Sequence, residues 1–170
     1  IYVANDFIKP DYLYINQGDG TFKESIKQYT NHVPFYAMGV DAVDINNDGW
    51  EDLIELEMLP EDYLRSKTTM ASMNTQLFDD LIGNGFHHQY MHNMLQLNRG
   101  KVVGDQVFFS EIGQMAGIAR TDWSWSCLGS DFDNDGFRDI FISNGFRRDI
   151  FDKDAQTIFG KFMRSPQSKG

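Results

Sequence analysis

A nine-residue acidic loop occurs twice in this sequence and restricts its fold more than any other feature. The copies are residues 44–52, DINNDGWED, and residues 131–139, DFDNDGFRD. Both place oxygen-bearing side chains at loop positions 1, 3, 5 and 9, with a glycine at position 6. Several carboxylates in one tight loop repel each other strongly. The loops therefore need a cation, unless they are plain acidic turns spread out into solvent.

Calcium is the cation that this pattern favours. Ca²⁺ takes 6–8 hard oxygen ligands, and alternation turns every second side chain toward the centre of the loop. The glycine permits the positive φ that the sharp bend requires. The sequence predicts two Ca²⁺ sites. Their side-chain ligands are Asp44, Asn46, Asp48 and Asp52 in one site and Asp131, Asp133, Asp135 and Asp139 in the other, with the carbonyls of Trp50 and Phe137 at position 7. Since Asn46 removes one negative charge, we expect the first site to be the weaker.

An EF-hand is the alternative for the first loop, because Glu55 stands at its position 12. An EF-hand needs a helix on each side of the loop. Residues 39–43, GVDAV, are typical of a strand instead, and Ile142 occupies position 12 of the second loop. The pattern thus favours a loop between strands over an EF-hand or dockerin-like pair.

Strand patterns around the loops also repeat. Residues 94–98 echo residues 12–16, and residues 140–144 match residues 1–5. A recurring order of strand, acidic loop, strand, hairpin and strand predicts a mainly β repeat architecture, most simply a β-propeller of four-stranded blades. The chain would hold about two and a third blades. By the same phase, a third loop would precede Ile1, so we expect a fragment or a processed piece.

One segment interrupts the repeat. Residues 59–92 lack β alternation and carry apolar residues at helical spacing, namely Met70, Met73, Leu77, Leu81 and Ile82, before Gly83-Asn84-Gly85 ends the pattern. We interpret this segment as a helical insertion. The expected divisions are residues 1–36, the end of a preceding blade; residues 37–112, a blade with the insertion; residues 113–146, the start of the next blade; and residues 147–170, a C-terminal segment of unknown role.

Charge and composition exclude some classes of function. A net charge of −10 opposes nucleic-acid binding, which depends on Lys and Arg at phosphates. No apolar run reaches the roughly 20 residues of a membrane helix, so no direct membrane span is predicted. The lone Cys127 cannot form an internal disulfide and is interpreted as a small buried hydrophobic residue.

Together these motifs resemble the FG-GAP / VCBS repeat family, whose calcium-binding propellers include the head of integrin α subunits. The resemblance rests on residues 16–22, NQGDGTF, on the two acidic loops, and on residues 123–126, WSWS. It covers roughly residues 1–58 and 93–146. The insertion looks like that of large bacteroidete envelope proteins with several VCBS repeats. The resemblance implies a calcium-binding β-propeller and says little about activity.

The functional expectation is a binding module. The resemblance implies a protein- or glycan-interaction scaffold in a cell-envelope or secreted assembly, outside the cell, at its surface or in the periplasm. Its partners would be an envelope protein or glycan and the remainder of the parent propeller. The chain is not expected to be an enzyme, although a propeller-based polysaccharide lyase or hydrolase is the alternative, with Glu55, Glu57 and His88 as weak candidates. A third option is a purely structural scaffold.

Two side-chain groups leave alternatives open. His88 and His92 stand four residues apart, with His87 beside them, and on one face of a helix they could bind a metal. Zinc hydrolases place a catalytic Glu between two such histidines, but here Gln89 takes that place. A structural role is favoured. Trp123 and Trp125 point the same way in a strand, where core or blade-to-blade packing is favoured over a platform for sugar stacking. Residues 147–149, RRD, are interpreted as a solvated turn, with an interface as the alternative.

Overall fold

The computed structural model describes residues 1–69, 74–103, 106–145 and 152–164. Within these ranges the chain is mainly β, with eleven strands and four helices. The strands are β1 (Tyr2–Val3), β2 (Tyr12–Asn16), β3 (Phe22–Glu24), β4 (Val33–Pro34), β5 (Gly39–Val43), β6 (Asp52–Leu56), β7 (Gln89–Tyr90), β8 (Met94–Val103), β9 (Gln106–Glu111), β10 (Ser124–Ser130) and β11 (Asp139–Asn144). The helices are α1 (Ile26–Tyr29), α2 (Tyr63–Thr69), α3 (Thr75–Gly83) and α4 (Lys153–Arg164).

The central sheet has four strands in the order β5-β6-β8-β9, and every pair is antiparallel. It is a meander in which successive strands are neighbours, with the insertion between β6 and β8. The register pairs Val43 with Asp52 and Leu53 with Gln96. The first loop thus joins two adjacent strands of one sheet.

Smaller sheets lie on both sides of the central sheet along the chain. The first sheet has the order β1-β2-β3, and the last sheet pairs β10 with β11. A short parallel pair joins β4 to β7. In the described ranges no sheet closes on itself, so the structure establishes a multi-sheet, mainly β fold and leaves the propeller as a proposal.

Strand β6 separates two hydrophobic cores because alternate side chains of a strand point to opposite faces. The first core contains Leu13, Ile26, Val33, Leu53 and Phe109 and lies between the first and central sheets. The second contains Val43, Ile54, Leu56, Leu95 and Cys127 and lies between the central and last sheets. All five residues of β6 are buried. Each core gains about 1.5–3 kcal/mol per fully buried large apolar side chain.

The insertion is helical at first and extended at its end. Asp62 caps α2 by accepting a hydrogen bond from the Arg65 backbone N–H at 2.7 Å, and Asn74 caps α3. Helix α3 ends at Gly83, as its Gly-Asn-Gly sequence predicts. The positions of Met70 and Met73 lie outside the described residues.

The alternative in which His88 and His92 share a helical face is wrong. Residues 86–88 belong to no helix, and Gln89–Tyr90 is a strand paired with Val33–Pro34. That pairing gathers all four histidines near one another. His32 stacks edge-on against Tyr90 and lies 6.0 Å from His92, while the buried His87 contacts Thr30 at 3.1 Å. Burial lowers the pKa of His87 to about 4, which keeps the ring neutral.

The C-terminal segment contains α4, an amphipathic helix without a buried residue. Its exposed apolar side chains are Ile158, Phe159, Phe162 and Met163. None of the described helices is both long and apolar enough for a membrane crossing. Residues 147–149 lie outside the described ranges.

Candidate metal centre

Both acidic loops are the turns of antiparallel hairpins. The first connects β5 to β6 and the second connects β10 to β11, where Ser130 pairs with Asp139. Because strands and not helices flank the loops, the EF-hand alternative for the first loop is wrong. Glu55 belongs to β6 and is fully buried, so it cannot serve as a twelfth-position ligand.

The two loops have the same backbone conformation. At position 4, Asn47 has a φ of 59° and Asn134 a φ of 61°. At position 6, Gly49 has a φ of 87° and Gly136 a φ of 90°. Asparagine and glycine tolerate such left-handed values better than other residues do. The loop sequences therefore carry suitable residues at both bends.

Matching hydrogen bonds hold each loop from within. In the second loop, Asp131 accepts hydrogen bonds from the backbone N–H of Asp135 at 3.1 Å and of Gly136 at 2.9 Å. In the first loop, Asp44 accepts the corresponding bonds from Asp48 at 3.0 Å and Gly49 at 2.8 Å. The remaining equivalent bonds are Asp48 to Asn46 and Trp50 to Asp48 in the first loop, and Asp135 to Asp133 and Phe137 to Asp135 in the second.

The loops differ in how closely their carboxylates converge. Oxygen atoms of Asp131, Asp133 and Asp139 all lie within 4.8 Å of one another, which is the spacing that ligands of one metal ion have. The first-loop acids Asp44, Asp48 and Asp52 form no such group. The second loop thus presents three convergent hard oxygen donors and fits a Ca²⁺ ion.

Asn46 and the burial of Asp52 together account for the difference. Position 3 carries the carboxylate of Asp133 in the second loop but the amide of Asn46 in the first. Asp52 has no exposed surface, and its two oxygens accept hydrogen bonds from the backbone N–H of Ile45 at 3.0 Å and of Asn98 at 2.7 Å. Burial raises the pKa of Asp52, with further increases from Asp48 and Asp44. In contrast, Asp139 is exposed and binds the N–H of Phe132 at 3.0 Å through one oxygen. The first loop therefore fits a Ca²⁺ ion less well than the second loop does.

The aromatic residues at position 7 occupy different surroundings. The Trp50 ring packs over Gly100, where an added Cβ would come within 2.9 Å of its indole nitrogen. The Phe137 ring is 63% exposed, so its side chain adds little to the loop. Whether the carbonyls of Trp50 and Phe137 and the carboxylate of Asp135 bind an ion remains a prediction.

One hydrogen bond joins the two loops. The Asn47 side-chain N–H donates to the Gly136 carbonyl at 2.9 Å, from one sheet to the next. Asn134 holds the equivalent place in the second loop, and within the described chain its side chain makes no corresponding bond. The bond aligns the two candidate sites side by side at one edge of the packed sheets.

This pair of asparagines gives a matched test of that bond. Both Asn47→Gly and Asn134→Gly relieve the same left-handed backbone, but only the first removes the contact to Gly136. We expect Asn47→Gly to be less stable than Asn134→Gly by about 0.5–1 kcal/mol, the net value of one exposed hydrogen bond. Urea unfolding of both variants measures the difference. Equal stabilities would show that the loops do not depend on each other.

A second cluster of functional groups lies at the other end of the hairpins. A pocket of about 420 Å³ is lined by Glu61, Asp62, Arg65, Gly117, Arg120, Thr121, Asp122 and Asn144. Strand β11 begins at the second loop and ends at Asn144. The pocket thus opens where the insertion meets the connection between β9 and β10, away from the acidic loops.

Hydrogen bonds fix the position of Asp122 in the lining of this pocket. Arg65 donates from Nε to Asp122 at 2.8 Å, and the same carboxylate accepts the Trp123 N–H at 2.7 Å. These bonds keep Asp122 at a φ of 64°, which non-glycine residues adopt rarely. Asn144 donates to the Thr121 carbonyl at 2.5 Å. No local sequence pattern indicates this pocket, since residues 61–65 and 120–122 are far apart in the chain.

The family comparison covers the part of the chain that contains the first loop. The model of the FG-GAP-like repeat matches residues 1–54. Residues 1–54 are thus similar to an FG-GAP-like repeat. The matched stretch contains the first sheet and the first loop but ends before the second loop, whose likeness to the first rests on the hydrogen bonds above. No curated protein and no solved structure matches the chain.

Proposed function

We propose that this chain is a part of a calcium-binding β-propeller that acts as an interaction module. The FG-GAP-like repeat over residues 1–54 supports a propeller-type interaction module. The observation that carries the finer proposal is the duplicated loop, with the same bends and internal hydrogen bonds in two adjacent sheets. The proposed blades are residues 1–36, 37–112 and 113–146, and the rest of a propeller would cover the open sides of the outer sheets.

In the proposed calcium site, the second loop holds the ion most strongly. Asp131, Asp133 and Asp139 would bind it, joined by Asp135 and the carbonyl of Phe137. The first loop would bind a second ion more weakly through Asp44, Asn46, Asp48 and Asp52 and the carbonyl of Trp50. Calcium would offset the mutual repulsion of these carboxylates and tie the end of one strand to the start of the next. Such a site forms only in the folded chain, so its binding free energy adds to stability.

The proposed place of contact with a partner is the pocket between the insertion and the β9–β10 connection. Its rim carries the exposed Arg120 and Glu61, which supply donors and an acceptor for a polar ligand. An envelope protein or a glycan presents the matching groups. Loops with affinities suited to millimolar calcium favour a location outside the cell or in the periplasm.

The enzyme alternative gains no support from its candidate acids. Glu55 and Glu57 are both fully buried, so neither can contact a polysaccharide. Glu57 accepts backbone hydrogen bonds from Tyr36 and Met58, each at 2.6 Å, and these contacts position the strand end. His88, the third candidate, is exposed, and a lyase or hydrolase would need an acid from elsewhere to act with it. The purely structural scaffold remains the alternative that the experiment below distinguishes.

A glycan array probed with the full chain tests the interaction role. We expect binding in calcium that chelator abolishes, and a loss of roughly tenfold or more in Arg120→Glu, since a hydrogen bond from a charged group contributes about 1.5–3 kcal/mol. Arg99→Glu makes the same charge change on the exposed part of β8 and serves as the control. Equal binding by both variants would show that the glycan does not contact this pocket. Cleavage of an array polysaccharide would favour the enzyme.

A further inference from the structure

Glu55 is the most unusual buried group in the described chain. It lies on β6 with no exposed surface, and neither carboxyl oxygen has a hydrogen-bond partner. Its face of the central sheet packs against the first core, whose other members are apolar. A buried carboxylate without partners costs several kcal/mol and neutralises instead. Some positive charge or a proton must therefore accompany Glu55.

The two polar neighbours of Glu55 direct their hydrogens to other acceptors. The Tyr2 hydroxyl gives its one proton to Asp11 at 2.9 Å. The Gln96 amide gives its two to the His32 carbonyl at 2.8 Å and to the Met94 sulfur at 3.7 Å. The Tyr2 oxygen, the Asp11 carboxylate and the unpaired oxygen of Gln96 lie near Glu55 and can each accept a hydrogen bond. Donation from Tyr2 or Gln96 would favour the charged form of Glu55, but burial and the charge of Asp11 outweigh it, so Glu55 itself is the donor at this site.

We propose that Glu55 is a proton-binding site, and that its protonated carboxyl group fastens the first sheet to the central sheet. The carboxylic acid donates to the acceptors around it, while Asp11 is the member of the pair that loses its proton first. Asp11 is suited to that role because it has two donors, the Asn5 backbone N–H at 2.7 Å and the Tyr2 hydroxyl. The proton thus connects β1 and the start of β2, in the first sheet, to β6 in the central sheet.

The other charged groups around this site do not supply a counter-ion. Toward Glu55, β1 presents Tyr2, the segment before β2 presents Asp11, β8 presents the neutral Gln96, and β9 presents Glu111. Glu111 faces His32 at 3.8 Å on its far side. Within the described residues neither Glu55 nor Asp11 forms an ion pair with a basic side chain. Only a proton or a bound metal cation can then neutralise the Glu55 carboxylate.

The pH dependence follows from the direction of the pKa shifts. Burial raises the pKa of Glu55 well above its ordinary value, and the charge of Asp11 raises it further. Burial also raises the pKa of Asp11. Above the ordinary pKa of glutamic acid, the folded chain binds one more proton than the unfolded chain, so stability falls as pH rises. The effect is opposite to that of the calcium loops, which acid weakens.

Melting temperature between pH 5 and pH 8, in saturating calcium, tests the proposal. Replacing Glu55 with Gln keeps a donor and removes the titration. We expect the wild-type melting temperature to fall by roughly 3–5 °C per pH unit relative to Glu55→Gln, the effect of one proton in a chain of this size. Glu61→Gln makes the same change at an exposed acid and should keep the wild-type slope.

A direct measurement avoids dependence on a variant that fails to fold. Carbon-13 NMR of the wild-type chain, labelled at glutamate, should show the Glu55 carboxyl group protonated at pH 7. An ionised signal at pH 7, or equal slopes in wild type and Glu55→Gln, would overturn the proposal. So would stabilisation at pH 8 by sodium or potassium over tetramethylammonium at equal ionic strength, because a metal cation would then hold the charge.

Discussion

Removing calcium is expected to lower the melting temperature of this chain by roughly 5–10 °C, the result for one site held at about 100 times its dissociation constant. The physical reason is the repulsion among Asp131, Asp133 and Asp139, whose oxygens lie within 4.8 Å of one another. Without a cation these carboxylates must separate or protonate. Calorimetric titration with calcium chloride, with melting curves in calcium and in chelator, measures both the binding and the shift.

Variants of the two loops show which loop produces the calcium-dependent shift in melting temperature. Asp131→Asn should remove most of it, whereas Asp44→Asn, at the same position of the first loop, should remove less because Asp52 is buried and already bonded at both oxygens. Asp79→Asn is the control, since it removes one exposed charge from α3. No heat of binding and no shift in melting temperature would contradict the calcium proposal. The loops would then be solvated acidic turns.

Adding a methyl group between the central and last sheets should destabilise the fold by about 1–3 kcal/mol at either of two glycines, as overpacking does in other cores. A Cβ on Gly39 would lie 2.7 Å from the Trp125 carbonyl oxygen. A Cβ on Gly129 would lie 2.4 Å from a methyl group of Val43. Both contacts cross from β5 to β10, so Gly39→Ala and Gly129→Ala test how closely the two sheets approach.

Gly83→Ala provides the control for these substitutions. Gly83 lies in α3, has an ordinary φ, and has no atom near the position of an added Cβ. Alanine there should be neutral or stabilising by up to about 1 kcal/mol. Urea unfolding, followed by tryptophan fluorescence because Trp125 is at the contact, gives all three free energies. If Gly39→Ala and Gly129→Ala match Gly83→Ala, the sheets do not pack at this distance.

Local sequence was sufficient for the loops and for the repeat family. The alternation of acids with Gly49 and Gly136 predicted tight turns between strands, and the structure places both loops at hairpin turns. The resemblance to FG-GAP repeats is confirmed over residues 1–54. These features involve residues close together in the chain, whose contacts follow from backbone geometry alone. The propeller, its blade divisions and the calcium ions remain proposals.

Extended segments were predicted less well where tertiary contacts decide the conformation. His88 and His92 have helical spacing, yet β7 pairs with β4 and draws that segment into an extended form. Strand β3 ends at Glu24, and Ile26 starts α1, where it is buried in the first core. Short segments adopt whichever conformation buries their apolar side chains against distant neighbours.

The sequence by itself determined which residues could bind a cation, because ligand chemistry and spacing are local properties. Only the tertiary structure decided that Asp52 is buried while Asp139 is exposed, although both occupy position 9. It also decided that Glu55 faces Asp11 across two sheets. Burial and desolvation depend on strand register and on sheet packing, which bring together residues far apart in the chain. No local pattern records those distances.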